Sequence, residues 1–412
     1  MNVVELFSGI GAQAKALERA NIDHNILATC DWDVNAIIAY DIIHYGPQNN
    51  NLYLNMDSNE LTQRILNLNI SSNGKKPMSD NAKVRMPRTV KASLLYAIER
   101  TNNLIDITNI NGIDLPPNID LMTYSFPCQD LSLAGNWHNN QGGIERNSGS
   151  RSSLLWEVER LLQERNNNNF QMPRFLLMEN VTAIESTRHI RNFEEWQRTL
   201  QRLGYVNCIY TLDARDFGVP QMRCRTYMLS TYINDIQDGN TRNEFCNYFS
   251  NQTSENLINM FRRNQLNLHD LLRTNYQEEQ YLREAEESCP NRTVSRIDIG
   301  NNNLYITEDV EFIPTITTKQ DRHPNSGLIR YHSIQNNKMN FRYLTPRECF
   351  LFMGFDEDDF QALVDNNFYS RRNTLFFSRD KLNKMAGNSI CVNVLESIFE
   401  YIDMLNEMFF NY

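Results

Sequence analysis

Along the first 230 residues, short apolar runs alternate with segments of helical periodicity, the pattern of buried strands separated by helices. Residues 3–7 read as a first strand, Ser8-Gly9-Ile10-Gly11 as a tight turn, and 12–20 as an alanine- and leucine-rich helix. A second strand at 26–30 ends in Asp31-Trp32-Asp33 and leads into a helix over 34–43. The frame resumes with a strand at 119–124 and a helix from Ser153 that places Leu154, Leu155, Val158, Leu161 and Leu162 on one face. The apolar run Phe175-Leu176-Leu177-Met178 is another strand, and Phe193, Trp196, Leu200 and Leu203 repeat at helical spacing. Strand-like runs at 207–212 and 226–230 flank Gln221-Met222-Arg223-Cys224-Arg225. Strands alternating with helices predict an α/β fold built on a doubly wound, Rossmann-like sheet.

Two stretches break the alternation. Residues 46–103 are rich in Asn, Ser and Lys before a helix around 92–100, and read as an insertion rather than a domain of their own. From 235 to 335 the chain becomes rich in Asn and charge, with a threonine-rich patch at 315–318, and a second, smaller domain is expected there. Residues 336–412 are expected to return to the first domain, 1–234. Their helix start is Leu344-Thr345-Pro346-Arg347-Glu348, and Val392, Leu395, Ile398, Phe399, Ile402 and Leu405 form a closing amphipathic helix.

Composition narrows the class. At 412 residues there is ample chain for one large core and a smaller one. No charged-then-apolar leader and no apolar run near twenty residues is present, so neither secretion nor membrane spanning is expected, and a cytoplasmic location follows. The eight cysteines include no C-x-x-C pair, which argues against structural zinc and a disulfide framework. A net charge of −10 disfavours a nucleic-acid partner unless cations cluster. They do so locally: Lys319, Arg322, Arg330, Lys338, Arg342 and Arg347 stand against Asp321 alone, and Lys83, Arg85, Arg88 and Lys91 form a second excess. Each cluster reads either as a solvated face or as part of a basic cleft on an acidic body.

The candidate chemistry lies where strands end. Phe126-Pro127-Cys128-Gln129 puts a cysteine just beyond a strand, and Glu179-Asn180-Val181 delivers a carboxylate at the tip of another. Cys128 is either an inert thiol or, given the proline before it and the glycine-containing segment 129–153 after it, a nucleophile beneath a closing loop. Glu179 has a structural alternative, and Asn180 a capping one. Gly9-x-Gly11 is either a plain turn or a place where backbone approaches a ligand. Asp31, about twenty residues on, is where a ribose diol would be held, and Trp32 packs in the core or lies against a purine.

Taken in order, Phe7-Ser8-Gly9-Ile10-Gly11, Pro127-Cys128, Glu179-Asn180-Val181, Gln221-x-Arg223-x-Arg225 and Gly387-Asn388-Ser389 resemble the DNA (cytosine-5) methyltransferase family of bacterial type. The stretches 124–132 and 151–157 are similar to members acting at short GC-containing sites, CpG enzymes among them. The resemblance implies an S-adenosylmethionine-dependent methyltransferase, with S-adenosylhomocysteine as product, acting on a flipped cytosine in double-stranded DNA through a covalent Cys128 adduct. It implies Cys128, Glu179, Arg223 and Arg225 as catalytic residues. It assigns Phe7, Gly9, Ile10, Gly11, Asp31, Trp32, Asp106, Ile107 and Asn388 to the cofactor, and 235–335 to target recognition. Gln129, Ser132, Arg151, Thr317, Lys319 and Arg322 are the expected DNA contacts. A monomer, without a metal, serving a modification system with or without a cognate restriction endonuclease, completes the expectation. A tRNA cytosine methyltransferase and an inactive DNA- or cofactor-binding module are the alternatives. The first usually carries Cys-Phe-Thr, which is absent here, and the joint presence of Cys128, Glu179, Arg223 and Arg225 weighs against the second.

Overall fold

The structure is a computed structural model that describes residues 1–128, 131, 144–146 and 151–410. Its centre, among the described residues, is a six-stranded sheet in the order β2-β1-β3-β4-β7-β5. The strands are β1 (Asn2–Leu6), β2 (Asn25–Cys30), β3 (Leu121–Tyr124), β4 (Phe175–Val181), β5 (Tyr205–Asp213) and β7 (Cys224–Tyr232), with a short β6 (Gln221–Met222) outside this sheet. Strands β1 to β4 are parallel, and β7 runs antiparallel beside β4. The chain steps from β1 outward to β2 and then returns to the other side of β1 for β3. That reversal is the switch point of a doubly wound sheet, where the crevice for a ligand opens.

Residues alternate between the two sheet faces, and both faces are apolar. Val4, Leu6, Met122, Tyr124, Leu176 and Met178 share one core with Leu155, Val158, Leu161, Leu162, Phe193, Trp196 and Leu200 from the helices Leu155–Asn167 and Ile190–Arg202. The intervening Val3, Leu121, Phe175 and Leu177 are just as buried. The closing helix Val392–Phe409 lies toward this second side, where Phe410 meets Phe175 edge-on at 5.5 Å. Burial on both faces is what makes the parallel strands read as continuous apolar runs.

The 46–103 insertion contains the helices Asn51–Asn55, Ser58–Leu66, Asp80–Val84 and Arg88–Arg100. Its cations do not form a cleft. Lys83 Nζ donates to the Leu66 carbonyl, Lys91 Nζ to that of Val84, and Arg88 to those of Leu54 and Met56. Each therefore caps the C-terminal end of a preceding helix, where carbonyls lack partners and the helix dipole favours positive charge. Of the four cations singled out in the sequence, Arg85 is the one in the most exposed class.

The chain divides into two compact units, Met1–Leu212 with Cys224–Phe261 and Leu395–Tyr412, and Asp213–Arg223 with Arg262–Val394. These edges differ from the expected 235–335. The helices Gly239–Ser250 and Ser254–Phe261 go with the first unit, because their apolar side chains have partners there: Phe245 meets Phe409 edge-on and Phe261 meets Tyr401. Residues 336–394 go with the second, where Arg342 and Arg347, both fully buried, are consumed by carboxylates. Arg342 makes paired bonds of 2.7 and 2.8 Å to Glu348, and Arg347 binds Glu284 and Glu357. The basic run 319–347 is thus partly an interior ion-pair network.

The second unit is also drawn together by the Gln221-x-Arg223 motif. Gln221 donates to the Phe352 carbonyl at 2.7 Å and accepts from the Ile316 amide at 3.0 Å. Arg223 donates to the carbonyls of Ile316, Gly387 and Ser389. The backbones of 317–318 and 387 are so close that a Cβ on Gly387 would stand 2.4 Å from backbone atoms of Thr317 and Thr318. Neither side can yield cheaply, since the atoms are main chain. Gly387→Ala should therefore destabilise this unit by roughly 1–3 kcal/mol; a calorimetric scan beside the wild type should show a lower unfolding midpoint, and an unchanged one would refute the close approach.

Glu5, at the centre of β1, is fully buried on the second face, and burial pushes its carboxyl up to about 8 despite the nearby Tyr40 hydroxyl and Ala14 amide. The folded value exceeds the ordinary 4.5, so this group's stabilising contribution is complete below that pH and is lost as pH rises toward about 8. Glu5→Gln should flatten that loss. Thermal melts from about pH 5 to 8 should show the wild type falling relative to the variant, whereas parallel curves would mean the carboxyl is not held neutral.

Candidate active site

Strand register assembles the site. Leu6 pairs with Cys30 and Tyr124, and Tyr124 with Met178, so these four residues form one row across the sheet. The next residue of each strand, Phe7, Asp31, Ser125 and Glu179, leaves that row at the same end. β7 arrives from the opposite direction and pairs Tyr227 with Glu179 and Arg225 with Val181. The two-residue period puts Arg225 on the face of Glu179, one diagonal step away.

The carboxylate of Glu179 is almost enclosed and doubly held. Ser125 Oγ donates to Oε2 at 2.5 Å, and the Arg225 guanidinium lies 3.4 Å from Oε1. Arg225 also donates to the Cys224 carbonyl at 2.8 Å, which orients its fork. The Phe126-Pro127-Cys128 backbone is pinned from both sides: Asn180 Nδ2 donates to the Phe126 carbonyl at 3.0 Å and Ser152 Oγ to that of Pro127 at 2.6 Å. The Leu131 amide closes a turn onto the Cys128 carbonyl at 3.0 Å. Cys128 itself is half-buried. Burial pushes the Cys289 thiol up to about 11 and those of Cys30 and Cys349 well above their ordinary range. Asn180, expected as a cap, therefore ties the strand end that carries Cys128 to the one that carries Glu179.

On the other side of the switch point the chain bends sharply. Phe7, a non-glycine residue, has φ 58°, and Gly9 and Gly11 have φ 57° and 81°. A left-handed aromatic residue costs of order 1 kcal/mol and marks a constrained site. The two glycines serve different ends. A Cβ on Gly11 would meet His44 Nε2 at 2.1 Å, so that glycine permits helix packing, while a Cβ on Gly9 would meet nothing within 4 Å. Open space beside the half-buried Gly9 suits a ligand. Asp31 accepts the Gly9 amide at 3.0 Å on one oxygen and the Asp33 amide at 2.8 Å on the other. Trp32 is half-buried rather than enclosed in the core, and Asp106 is likewise accessible. These features fit the nucleoside half of S-adenosylmethionine. Ile10 and Ile107 turn their side chains into the interior, leaving only main chain for a ligand.

Arg223 belongs to the second unit, where it donates to the carbonyls of Ile316, Gly387 and Ser389. Asn388 also belongs to the second unit, exposed at the end of the helix Arg379–Asn388. Thr317, Lys319 and Arg322 lie there too; Lys319 and Arg322 are exposed, and Arg322 pairs with Asp321 at 3.2 Å. Arg151 opens a 3-10 turn, Arg151–Leu154, directly before Ser152. Gln129 and Ser132 lie outside the described residues. Within 129–153, Ile144 and Arg146 are anchored: the Ile144 carbonyl accepts Trp156 Nε1–H, and Arg146 pairs with Glu159 and Glu195 while stacking 3.7 Å over Trp156. Sequence reasoning missed Ser125, whose signal was its place beside the strand end.

Comparison with known proteins agrees with this geometry. Residues 89–404 match the family of C-5 cytosine-specific DNA methylases. The orphan methyltransferase M.SssI of Spiroplasma monobiae is 33% identical over 411 residues, covering 98% of this chain and 97% of that protein. The type II methyltransferase M2.ScrFI of Lactococcus lactis subsp. cremoris is 32% identical, covering 97% and 98%. Among solved structures, the Dnmt2 methyltransferase of S. pombe superposes with a TM-score of 0.61 at 19% identity across the whole of both chains, a likeness of fold. With a pinned cysteine, a held carboxylate and a nucleoside-ready turn at one sheet end, the chain belongs to the C-5 cytosine-specific DNA methylase family.

Proposed function

We propose that Cys128 is the covalent nucleophile of a methyl transfer to carbon 5 of a cytosine flipped out of duplex DNA, with Glu179 and Arg225 binding the base. Family membership makes the chain a DNA (cytosine-5-)-methyltransferase that uses S-adenosylmethionine. When bound, that cofactor supplies an electrophilic methyl group and leaves as S-adenosylhomocysteine. The observation that carries the residue assignments is the bonded set of Glu179, Ser125 and Arg225 beside the pinned Phe126-Pro127-Cys128 strand end.

Cytosine carbon 5 is too electron-poor to take a methyl group unaided. The Cys128 thiolate adds to carbon 6, forming an S–C6 bond, and the electron pair of the 5,6 double bond moves to carbon 5. Glu179 donates to nitrogen 3 and accepts from the exocyclic amine, which offsets the charge developing on the ring. Arg225 holds that carboxyl and offers positive charge toward the base carbonyl oxygen. After methylation, a base removes the carbon 5 proton, the double bond re-forms and the thiolate departs. A stacked base exposes neither ring face, so flipping precedes these steps at about a few kcal/mol.

The second unit is proposed to read the target, with Thr317, Lys319 and Arg322 approaching the duplex and Gln129, Ser132 and Arg151 gripping the opened site. The orphan and type II names of the two relatives support a role in DNA modification, with or without a restriction partner. Among the described residues no helix is long and apolar enough to cross a membrane; a cytoplasmic monomer is the proposed state.

Bisulfite sequencing of plasmid incubated with the protein and S-adenosylmethionine should protect cytosines within one short motif, and Cys128→Ser should remove that protection while retaining S-adenosylhomocysteine binding. Protection by the serine variant would exclude the covalent scheme, and labelling of tRNA alone would transfer the activity to RNA. Ser125→Ala should lower kcat about tenfold, the effect of losing one charge-assisted hydrogen bond to the acid, at unchanged KM for the cofactor. An unaltered kcat would mean Ser125 does not position Glu179.

A further inference from the structure

We propose that the 46–103 insertion completes the adenosine end of the cofactor site, with Asn69 as the positioning residue for Asp106; this rests on the assignment of Asp31, Trp32 and Asp106 to the cofactor. Both legs of the insertion flank the end of β2. On the outgoing leg, the Ser71 amide donates to the Trp32 carbonyl at 2.7 Å, and the Val34 amide donates to the Ser71 carbonyl at 2.9 Å. Asn35 Nδ2 reaches the Ser72 carbonyl at 3.0 Å. Ile70 and Ser71 are fully buried, so this is a packed wall rather than a surface loop. Ser71 Oγ donates to the Lys76 carbonyl at 2.7 Å and closes the following turn upon itself.

On the returning leg, the Leu104 amide donates to the Thr29 carbonyl at 2.8 Å, and Asn103 Oδ1 accepts the Ile105 amide at 2.7 Å. Ile105 is forced to φ 67°, unusual for a β-branched residue, and Asp106 follows at once. Asp106 is then held at both oxygens. The Thr108 amide donates to Oδ1 at 3.0 Å, and Asn69 Nδ2 donates to Oδ2. The first bond is local and comes with the turn. The second crosses 37 residues and exists only because the insertion folds back against Trp32. A half-buried carboxylate with one oxygen fixed by a neighbour and the other by the insertion presents its remaining lone pairs in a set direction, as an acceptor for an amine such as that of adenine requires. The insertion thereby fixes the Trp32 main chain and the Asp106 side chain together.

The test is calorimetric titration of the purified full-length protein with S-adenosylhomocysteine, without DNA. Asn69→Ala and Asp106→Ala should each weaken binding about tenfold, and the double variant should be no weaker than Asp106→Ala alone, because Asn69 acts through Asp106. Asn69→Asp, which keeps the shape but faces a carboxylate with a carboxylate, should weaken binding at least as much at wild-type thermal stability. DNA affinity should not change in the Asn69 variants. Wild-type affinity in both Asn69 variants, or a double variant showing the product of the single losses, would overturn the positioning role. Wild-type affinity in Asp106→Ala would instead remove Asp106 from the cofactor site, a failure of the underlying assignment that the other variants would not mimic.

Discussion

The row formed by Leu6, Cys30, Tyr124 and Met178 is the constraint on which the catalytic end depends. A slip of one residue in any strand would move its side chains to the other sheet face and shift its loop by about 3.3 Å. The register is fixed because both faces are buried, so no strand can slip without exposing its apolar set on one side and crowding it on the other. Chemistry at the strand ends thus inherits its precision from packing several residues below. The antiparallel β7 adds what parallel strands alone lack: it brings a chain back into the site, so that Arg225 lies beside Glu179 although 46 positions separate them in sequence. A parallel strand in that place would have presented its other end.

The Gln221-x-Arg223-x-Arg225 motif shows how far spacing alone can be read. Three polar residues at alternate positions of an extended segment share a face, which invites a single role for all. The chain instead divides between Arg223 and Cys224. Gln221 and Arg223 bond to carbonyls and an amide of the second unit, and Arg225 lies 3.4 Å from the Glu179 carboxylate. A buried guanidinium that donates to three carbonyls draws their segments together. Gly387 lies in one of those segments. The sequence marks the motif as important without separating its architectural from its chemical members, because that division depends on which backbone each side chain reaches.

Charge was the least legible feature, for a physical reason. A run of Lys and Arg in sequence carries no information on where its counter-charges lie. Lys83, Arg88 and Lys91 were open to a reading as a basic surface, yet each neutralises the carbonyl end of a helix within the insertion. Arg342 and Arg347 were counted toward a basic cleft, yet their partners Glu348, Glu284 and Glu357 lie 6, 63 and 10 positions away. The strands, the switch point, Cys128 and Glu179 were legible because each rests on a local pattern, an apolar run followed by a polar tip. Ser125 and Asn180 were half legible, being near such tips. Asn69 was not, since nothing local distinguishes it from the other asparagines of the insertion.

An acidic protein that must hold a polyanion faces long-range repulsion as well as local attraction. Interior pairing of Arg342 and Arg347 makes this sharper, because cations consumed inside cannot meet phosphate. The attraction must then come from the cations left at the surface, such as Lys319, Arg322 and Arg330. On the proposed assignment Arg322 would also exchange Asp321 for a phosphate, a swap between two anions that yields less than a free guanidinium would. The flipped base is gripped, on the proposed assignment, by Glu179, Arg225 and Cys128, within a fold whose strand register places those residues before any substrate arrives.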